Sequence, residues 1–213
     1  MVLARPIKTL RLPVSEPIRP AATVILWRKY GEGFQILMGM RGHAAAFMPS
    51  KYVFPGGAVD PEDHSAAPIG LTPDCAARLA LHCPEGAPHA GTLARAALRE
   101  LHEETGLQIT SPLPGDLRFV FRAITPPGRS RRFDARFFLT PATRITGDAE
   151  GFSAAGTELS HLHWIGLSEA RALDLPFITE VVLSEVTALL GGHKQDGVPF
   201  FDNSGDVPCF RRL

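Results

Sequence analysis

The chain has 213 residues, enough for one domain with a sizeable core, and its 45% hydrophobic and 21% charged residues exclude a chain disordered throughout. Lys plus Arg and Asp plus Glu both number 22, so no basic excess points to nucleic acid or to an anionic membrane. Cys75, Cys83 and Cys209 are too few for a disulfide scaffold and fit a reducing, cytoplasmic setting, while apolar runs such as 21–27 fall short of the ~20 residues of a membrane span.

Residues 1–20 hold prolines and no sustained periodicity, and read as an N-terminal leader. The domain is expected over 21–190. Residues 22–28 and 34–40 are β-rich runs around Tyr30-Gly31-Glu32-Gly33, whose glycines suit a hairpin. Tyr52-Val53-Phe54 is a further short strand, stopped by the turn Pro55-Gly56-Gly57. From 61 to 91 the composition shifts to Ala, Pro, His and Gly, with a short helical stretch at 74–82, and reads as an insertion. Thr92 is placed to cap a helix that runs to Thr105, with Gly106 at a left-handed C-terminal cap. Strands are expected at 117–124, 132–139 and 161–165, a helical turn at 167–170 and a second long helix at 177–190. Residues 191–213, rich in Gly, Pro and Asp, read as a tail that wraps the surface. This order predicts an α/β fold in which a mixed sheet packs between helices.

The helix at 92–105 breaks two local rules. At about 100° per residue, Glu100, Glu103 and Glu104 share one face, opposite an apolar stripe of Ala94, Leu98, Leu101 and Thr105. Neighbouring carboxylates repel. Glu103 and Glu104 also lie in the last turn, where the helix dipole disfavours acids. Rules broken at one place mark a functional site, and a hard divalent cation would compensate this one. A solvated charged face is the alternative.

The string Arg99-Glu100-Leu101-His102-Glu103-Glu104-Thr105-Gly106-Leu107 resembles the second half of the Nudix box, and Phe54-Pro55-Gly56-Gly57 resembles its upstream turn. The box acid falls on Asp63, with Glu62 beside it. Residues 64–98 then separate it from Arg99 where the family has about seven, and such an insertion of about 28 residues costs little closure entropy. The insertion, with Ile124-Thr125-Pro126 and the run 132–138, is similar to the branch that includes a peroxisomal acyl-coenzyme A diphosphatase. Arg41, thirteen residues ahead of Phe54, agrees with a coenzyme A signature, from which Ala46 and Ser50 depart.

The resemblance implies a Nudix-type α/β/α sandwich and a metal-dependent diphosphatase acting on a nucleoside diphosphate derivative. Coenzyme A or an acyl-coenzyme A is the first choice; ADP-ribose, NADH, a nucleotide sugar, or a non-catalytic ligand-sensing module are alternatives. It implies Mg²⁺ or Mn²⁺ held by Glu100, Glu103, Glu104 and the Gly57 carbonyl, with Glu100 or Glu103 as possible base. Arg99 would orient Glu103, and Glu158 would be a further ligand or base, or an exposed strand-edge acid. Homodimers are common in the family. Arg41, Arg132 and Arg136 are candidate phosphate contacts, or outward strand residues. Phe133, Phe137 and Phe138 are core or a stacking surface. His64, Cys75, His82, Cys83 and His89 match no standard zinc spacing.

Overall fold

A computed structural model describes residues 16–205 and 207–213. The leader reading on 1–15 lies outside the described residues. The backbone forms a nine-stranded mixed sheet. In chain order the strands are β1 (Ile18–Tyr30), β2 (Gly33–Arg41), β3 (Tyr52–Val53), β4 (Gly56–Ala58), β5 (Arg118–Ile124), β6 (Arg132–Pro141), β7 (Leu159–Gly166), β8 (Pro199–Asp202) and β9 (Cys209–Arg212). The helices are α1 (Pro73–Ala80), α2 (Ala90–Thr105), α3 (Leu167–Ala170) and α4 (Phe177–Leu190).

The sheet order is β3-β2-β1-β6-β5-β8-β9, with β4 paired to β1 and β7 to β2. The β1/β2 hairpin turns through Gly31, whose φ of +55° suits a residue without Cβ. β1 runs parallel to β6 from Ile18↔Arg132 to Trp27↔Pro141, so the sheet already contains residues read as leader. Its middle, Ala21 to Thr23, also pairs with β4, and Ala22 opposes Gly57.

Two apolar layers sandwich the sheet. On one face, Leu93, Ala94, Ala97 and Leu101 of α2 and Leu79 of α1 pack on Ala22, Val24, Leu26 and Phe138. On the other, Val182, Leu183 and Val186 of α4 pack on Ile25, Phe121 and Phe137. Strand alternation produces this division, since neighbours such as Phe137 and Phe138 point to opposite faces.

Two further expectations change. Residues 191–213 do not simply wrap the surface, because β8 runs parallel to β5 and β9 pairs antiparallel to β8. The cap of α2 is His89 rather than Thr92. Thr92 is inside the helix, where its Oγ1 accepts from Ser65 N at 3.1 Å and donates to Ser65 O at 3.2 Å, tying the insertion to α2. Gly106 ends α2 in the left-handed region at φ +76°. No helix among the described residues is long and apolar enough to cross a membrane.

Candidate active site

The β1–β4 pairing sets the turn 55–57 against the C-terminal half of α2. Gly56 N donates to Glu104 Oε2 at 2.7 Å. Glu104 is only 2% exposed, and its Oε1 is buried with no hydrogen-bond partner. The helical wheel placed this residue on an outward acidic face; β4 covers it. Burial pushes its carboxyl up to about 8, against the Gly56 hydrogen bond and the charge of Arg41, which favour the anion. Glu100 is also raised by burial, against its contacts with Arg99. Only Glu103 of the three is well exposed.

Gly57 lies so close to Glu100 that a Cβ there would sit 2.5 Å from Glu100 Cδ and 2.7 Å from Oε2. Any larger residue would displace the carboxylate. The glycine in this turn therefore serves a close backbone approach, which puts its peptide beside the acids of α2.

Arg99 organises the acids. Its Nη1 donates to Glu100 Oε1 at 2.9 Å and Glu103 Oε2 at 2.8 Å. Its Nε and Nη2 grip Asp63 Oδ1 and Oδ2 at 3.0 and 2.9 Å, and Nη2 also reaches Ala58 O. Asp63, 3% exposed, ends a 3₁₀ turn over Pro61–Asp63 and accepts from Asp60 N at 2.8 Å. The structure thus distinguishes two neighbours that spacing alone left open: Asp63 faces Arg99, and Glu62 is exposed. These bonds, Asp63 foremost, raise the Arg99 pKa, so this guanidinium is a permanent cation.

The other candidates separate into two groups. Glu158, just ahead of β7, is near enough for its charge to raise both Glu100 and Glu104. Arg41, at the end of β2, donates from Nη2 to Gly56 O at 3.2 Å. Both join the site. Arg132 and Arg136 do not line it. Arg132 is buried and donates to Thr125 O and Asn203 O. Arg136 is buried against Asp134 and Cys83. Their strand phase explains the difference, because Phe133, Ala135 and Phe137 occupy the face that looks toward Gly57.

That face forms a cleft of about 720 Å³ running from Gly56 and Gly57 past Arg41, Lys51 and Arg129. Its walls are largely apolar and include Phe47, Phe54, Phe133, Phe137, Phe177 and Phe201. Phe47 meets Phe133 edge to face at 5.2 Å. Phe138, in contrast, is fully buried core. Sequence reasoning missed Phe47, Phe177 and Phe201 as wall residues: Phe47 lies in a loop, Phe177 opens α4, and Phe201 falls in the segment read as a tail.

The residues fit a hard divalent cation. Glu104 Oε1 is buried without a partner, Gly57 leaves a cradle beside the Glu100 carboxylate that a Cβ would fill, and Glu103 shares the Arg99 Nη1 donor with Glu100, so the donors on offer are oxygens of the kind such an ion takes. Among the described residues no three acidic, His or Cys side chains already form a ligating group. Glu100 and Glu103 both accept from Arg99 Nη1 instead.

A family model for the NUDIX domain matches residues 17–185. No curated protein matches the chain. Among solved structures, the chain is similar to a NUDIX hydrolase from Alicyclobacillus acidocaldarius, with 24% identity, a TM-score of 0.60, and coverage of 81% of this chain and 92% of that one. It is similar to the NUDIX domain of Shewanella oneidensis NrtR complexed with ADP ribose, at 12% identity and TM-score 0.55, covering 82% and 90%. A C. elegans Ap4A hydrolase aligns at 15% identity and TM-score 0.52, over 83% and 100%. At these identities the likeness is one of fold, but the family match spans most of the sequence: the chain belongs to the NUDIX domain family.

Proposed function

We propose that this NUDIX domain protein is a hydrolase that cleaves the diphosphate linkage of coenzyme A or an acyl-coenzyme A. The observation that carries this reading is the cleft beside the glycine turn: its apolar, phenylalanine-bearing walls suit an adenine ring or an acyl chain, and its guanidinium and ammonium groups suit phosphates. Arg41 is placed to grip the diphosphate next to the acids. A water oxygen bonds to one phosphorus, the bridging oxygen leaves with the electron pair of the broken P–O bond, and Glu103 or Glu100 takes the water's proton. Mg²⁺ or Mn²⁺, held by Glu100, Glu103, Glu104 and the Gly57 carbonyl, supplies charge neutralisation and Lewis acidity when bound. Arg99 and Asp63 keep Glu100 and Glu103 oriented, and Glu158 adds to the negative potential.

A second reading, hydrolysis of ADP-ribose, rests on the similar NrtR domain complexed with that ligand. Incubation with coenzyme A, acyl-coenzyme A, ADP-ribose, NADH, diadenosine polyphosphates and nucleotide sugars under Mg²⁺ and Mn²⁺, with products identified by mass, separates the two. Release of 3′,5′-ADP from a coenzyme A species at the highest kcat/KM is expected. Faster turnover of ADP-ribose or NADH than of every coenzyme A species rejects the first reading.

A further inference from the structure

A second cavity, of about 620 Å³, lies between the insertion and the opposite face of the sheet. Residues 82–88 form one wall, and Arg122, Asp134 and Arg136 another. Along β6 the phase is unambiguous: Phe133, Ala135 and Phe137 line the catalytic cleft, whereas Asp134 and Arg136 line this cavity. It is a separate place in the molecule.

Arg122 and Arg136 are each 1% exposed, and both lean on the single carboxylate of Asp134. Arg122 uses all its nitrogens: Nε and Nη2 on the two Asp134 oxygens at 2.8 and 2.7 Å, Nη1 on Leu81 O and Nη2 also on His82 O. Arg136 is worse served. Its Nη1 bonds Asp134 O and its Nη2 touches Asp134 Oδ2 at 3.0 Å. On its other edge Nη2 meets only the Cys83 sulfur at 3.4 Å, and Nε has no partner. A thiol is a weak acceptor, so the Nε/Nη2 edge of a buried cation lacks a matching oxygen pair.

The surrounding charges do not supply one. Asp202, also on the wall, is engaged by Ser204 and by Arg211 at 3.4 Å. Counting Arg211, three guanidiniums share two carboxylates, and the remaining wall acid, Glu85, is solvent-exposed, where water screens it. Burial, with Arg122 adding to it and Asp134 opposing, holds the Arg136 pKa below its ordinary value.

We propose that this cavity binds a small oxyanion, the phosphate or carboxylate group of a metabolite, through the Nε/Nη2 edge of Arg136, which is buried under the Cys83 side chain and is exposed when that side chain turns aside. That edge has the fork geometry that receives two oxygens of one anion, and the volume admits more than a bare ion. The site is independent of the substrate assigned to the catalytic cleft.

Titration of the full-length ¹⁵N-labelled protein with inorganic phosphate, at constant ionic strength against chloride, tests it without turnover. Saturable shifts are expected at Arg136 Nε–H and at the amides of Cys83 and Gly86. Sodium acetate as a parallel arm distinguishes any oxyanion from phosphate alone. Arg136→Met should abolish the response. Because a buried arginine can be needed for folding, Asp202→Asn provides the second variant: it removes a like charge from the wall, keeps an acceptor for Ser204, and should tighten phosphate binding about threefold or more. Shifts confined to Gly56 and Gly57, shifts that rise linearly with salt, or an Asp202→Asn affinity no better than that of the unaltered protein overturn the proposal.

Discussion

Glu104 carries the largest local burden in the site: a buried carboxylate with one oxygen on Gly56 N and the other on nothing. Glu104→Gln keeps an acceptor for Gly56 N and removes an ionisable group that burial pushes up to about 8, so the fold no longer has to take up a proton there or bury a charge. In metal-free protein it should raise Tm by about 2–4 °C, the shift that ~1 kcal/mol produces in a domain of this size. Turnover should fall at least about 100-fold, the trade of stability against function expected where a site holds a buried carboxyl with an unsatisfied oxygen. A fall in metal-free Tm on thermal unfolding in chelator would show that the carboxylate is not a burden. Glu103 is exposed, so Glu103→Gln should leave Tm nearly unchanged. Its turnover should still drop about 100-fold, and rates equal to those of the unaltered protein would remove Glu103 from the chemistry. The string 99–107 made the identities of these acids legible in the sequence. Their burial was not legible, because a helical wheel contains only the helix, and the strand that covers Glu104 begins 48 positions earlier at Gly56.

At the scale of elements, the insertion lengthens the chain between two halves of one site without separating them. The 3₁₀ turn at Pro61–Asp63 stays fixed because Asp63 bridges to Arg99 across 36 positions, and Ser65 is tied to Thr92 just beyond it. The segment from about 66 to 88 then folds back over the sheet, with Leu79 of α1 in the core and the Leu81 and His82 carbonyls on Arg122, and its length costs little closure entropy. Asp63→Asn should weaken the hold on Arg99 and lower kcat about 10- to 100-fold with a small change in KM, as loss of a partner behind the ligating residues does elsewhere. Asp63→Glu should recover part of that rate, and an equal loss in both variants would mean that the carboxylate is not what matters. Gly57→Ala tests the close approach of β4 to α2. Its backbone angle is ordinary, so the added methyl acts first through Glu100, whose carboxylate atoms are the nearest to it. Mn²⁺ affinity measured by titration should fall while Tm changes little; unchanged affinity would mean that Glu100 moves aside freely. The sequence showed that a glycine stood here and that an acid preceded the insertion. It did not show which acid, since Glu62 and Asp63 differ only in the direction in which the 3₁₀ turn points them.

The whole molecule extends past the part that looked like a domain. Residues 191–213 have the composition of a surface tail, yet Val198, Phe200 and Leu213 belong to the core layer shared with α1 and α2. Phe200 lies under the Arg122 guanidinium at 4.2 Å, and Asn203 receives Arg132 through its carbonyl while its amide donates to Ile124 O. These links were hidden because the pairing of β8 with β5 is long-range and spans only Arg122↔Phe200 and Ala123↔Phe201, too short a register to leave a periodic pattern. By the same logic the buried phase of Arg132 and Arg136 escaped notice: alternation places charged and aromatic residues on opposite faces, but it does not say which face meets the catalytic turn. A chain ending at Gln195 should therefore lose far more than a tail. Val198, Phe200 and Leu213 each contribute about 1.5–3 kcal/mol of burial, which corresponds to a combined Tm decrease on the order of 10 °C or more. Buried Arg132 and Arg122 would also lose partners, adding to the loss. Thermal unfolding of the shortened chain beside the full one measures this directly. A Tm within about 2 °C of the full-length value would place β8 and β9 outside the cooperative unit, whereas the expected collapse would make them part of the fold that holds the catalytic cleft on one face and the arginine pair on the other.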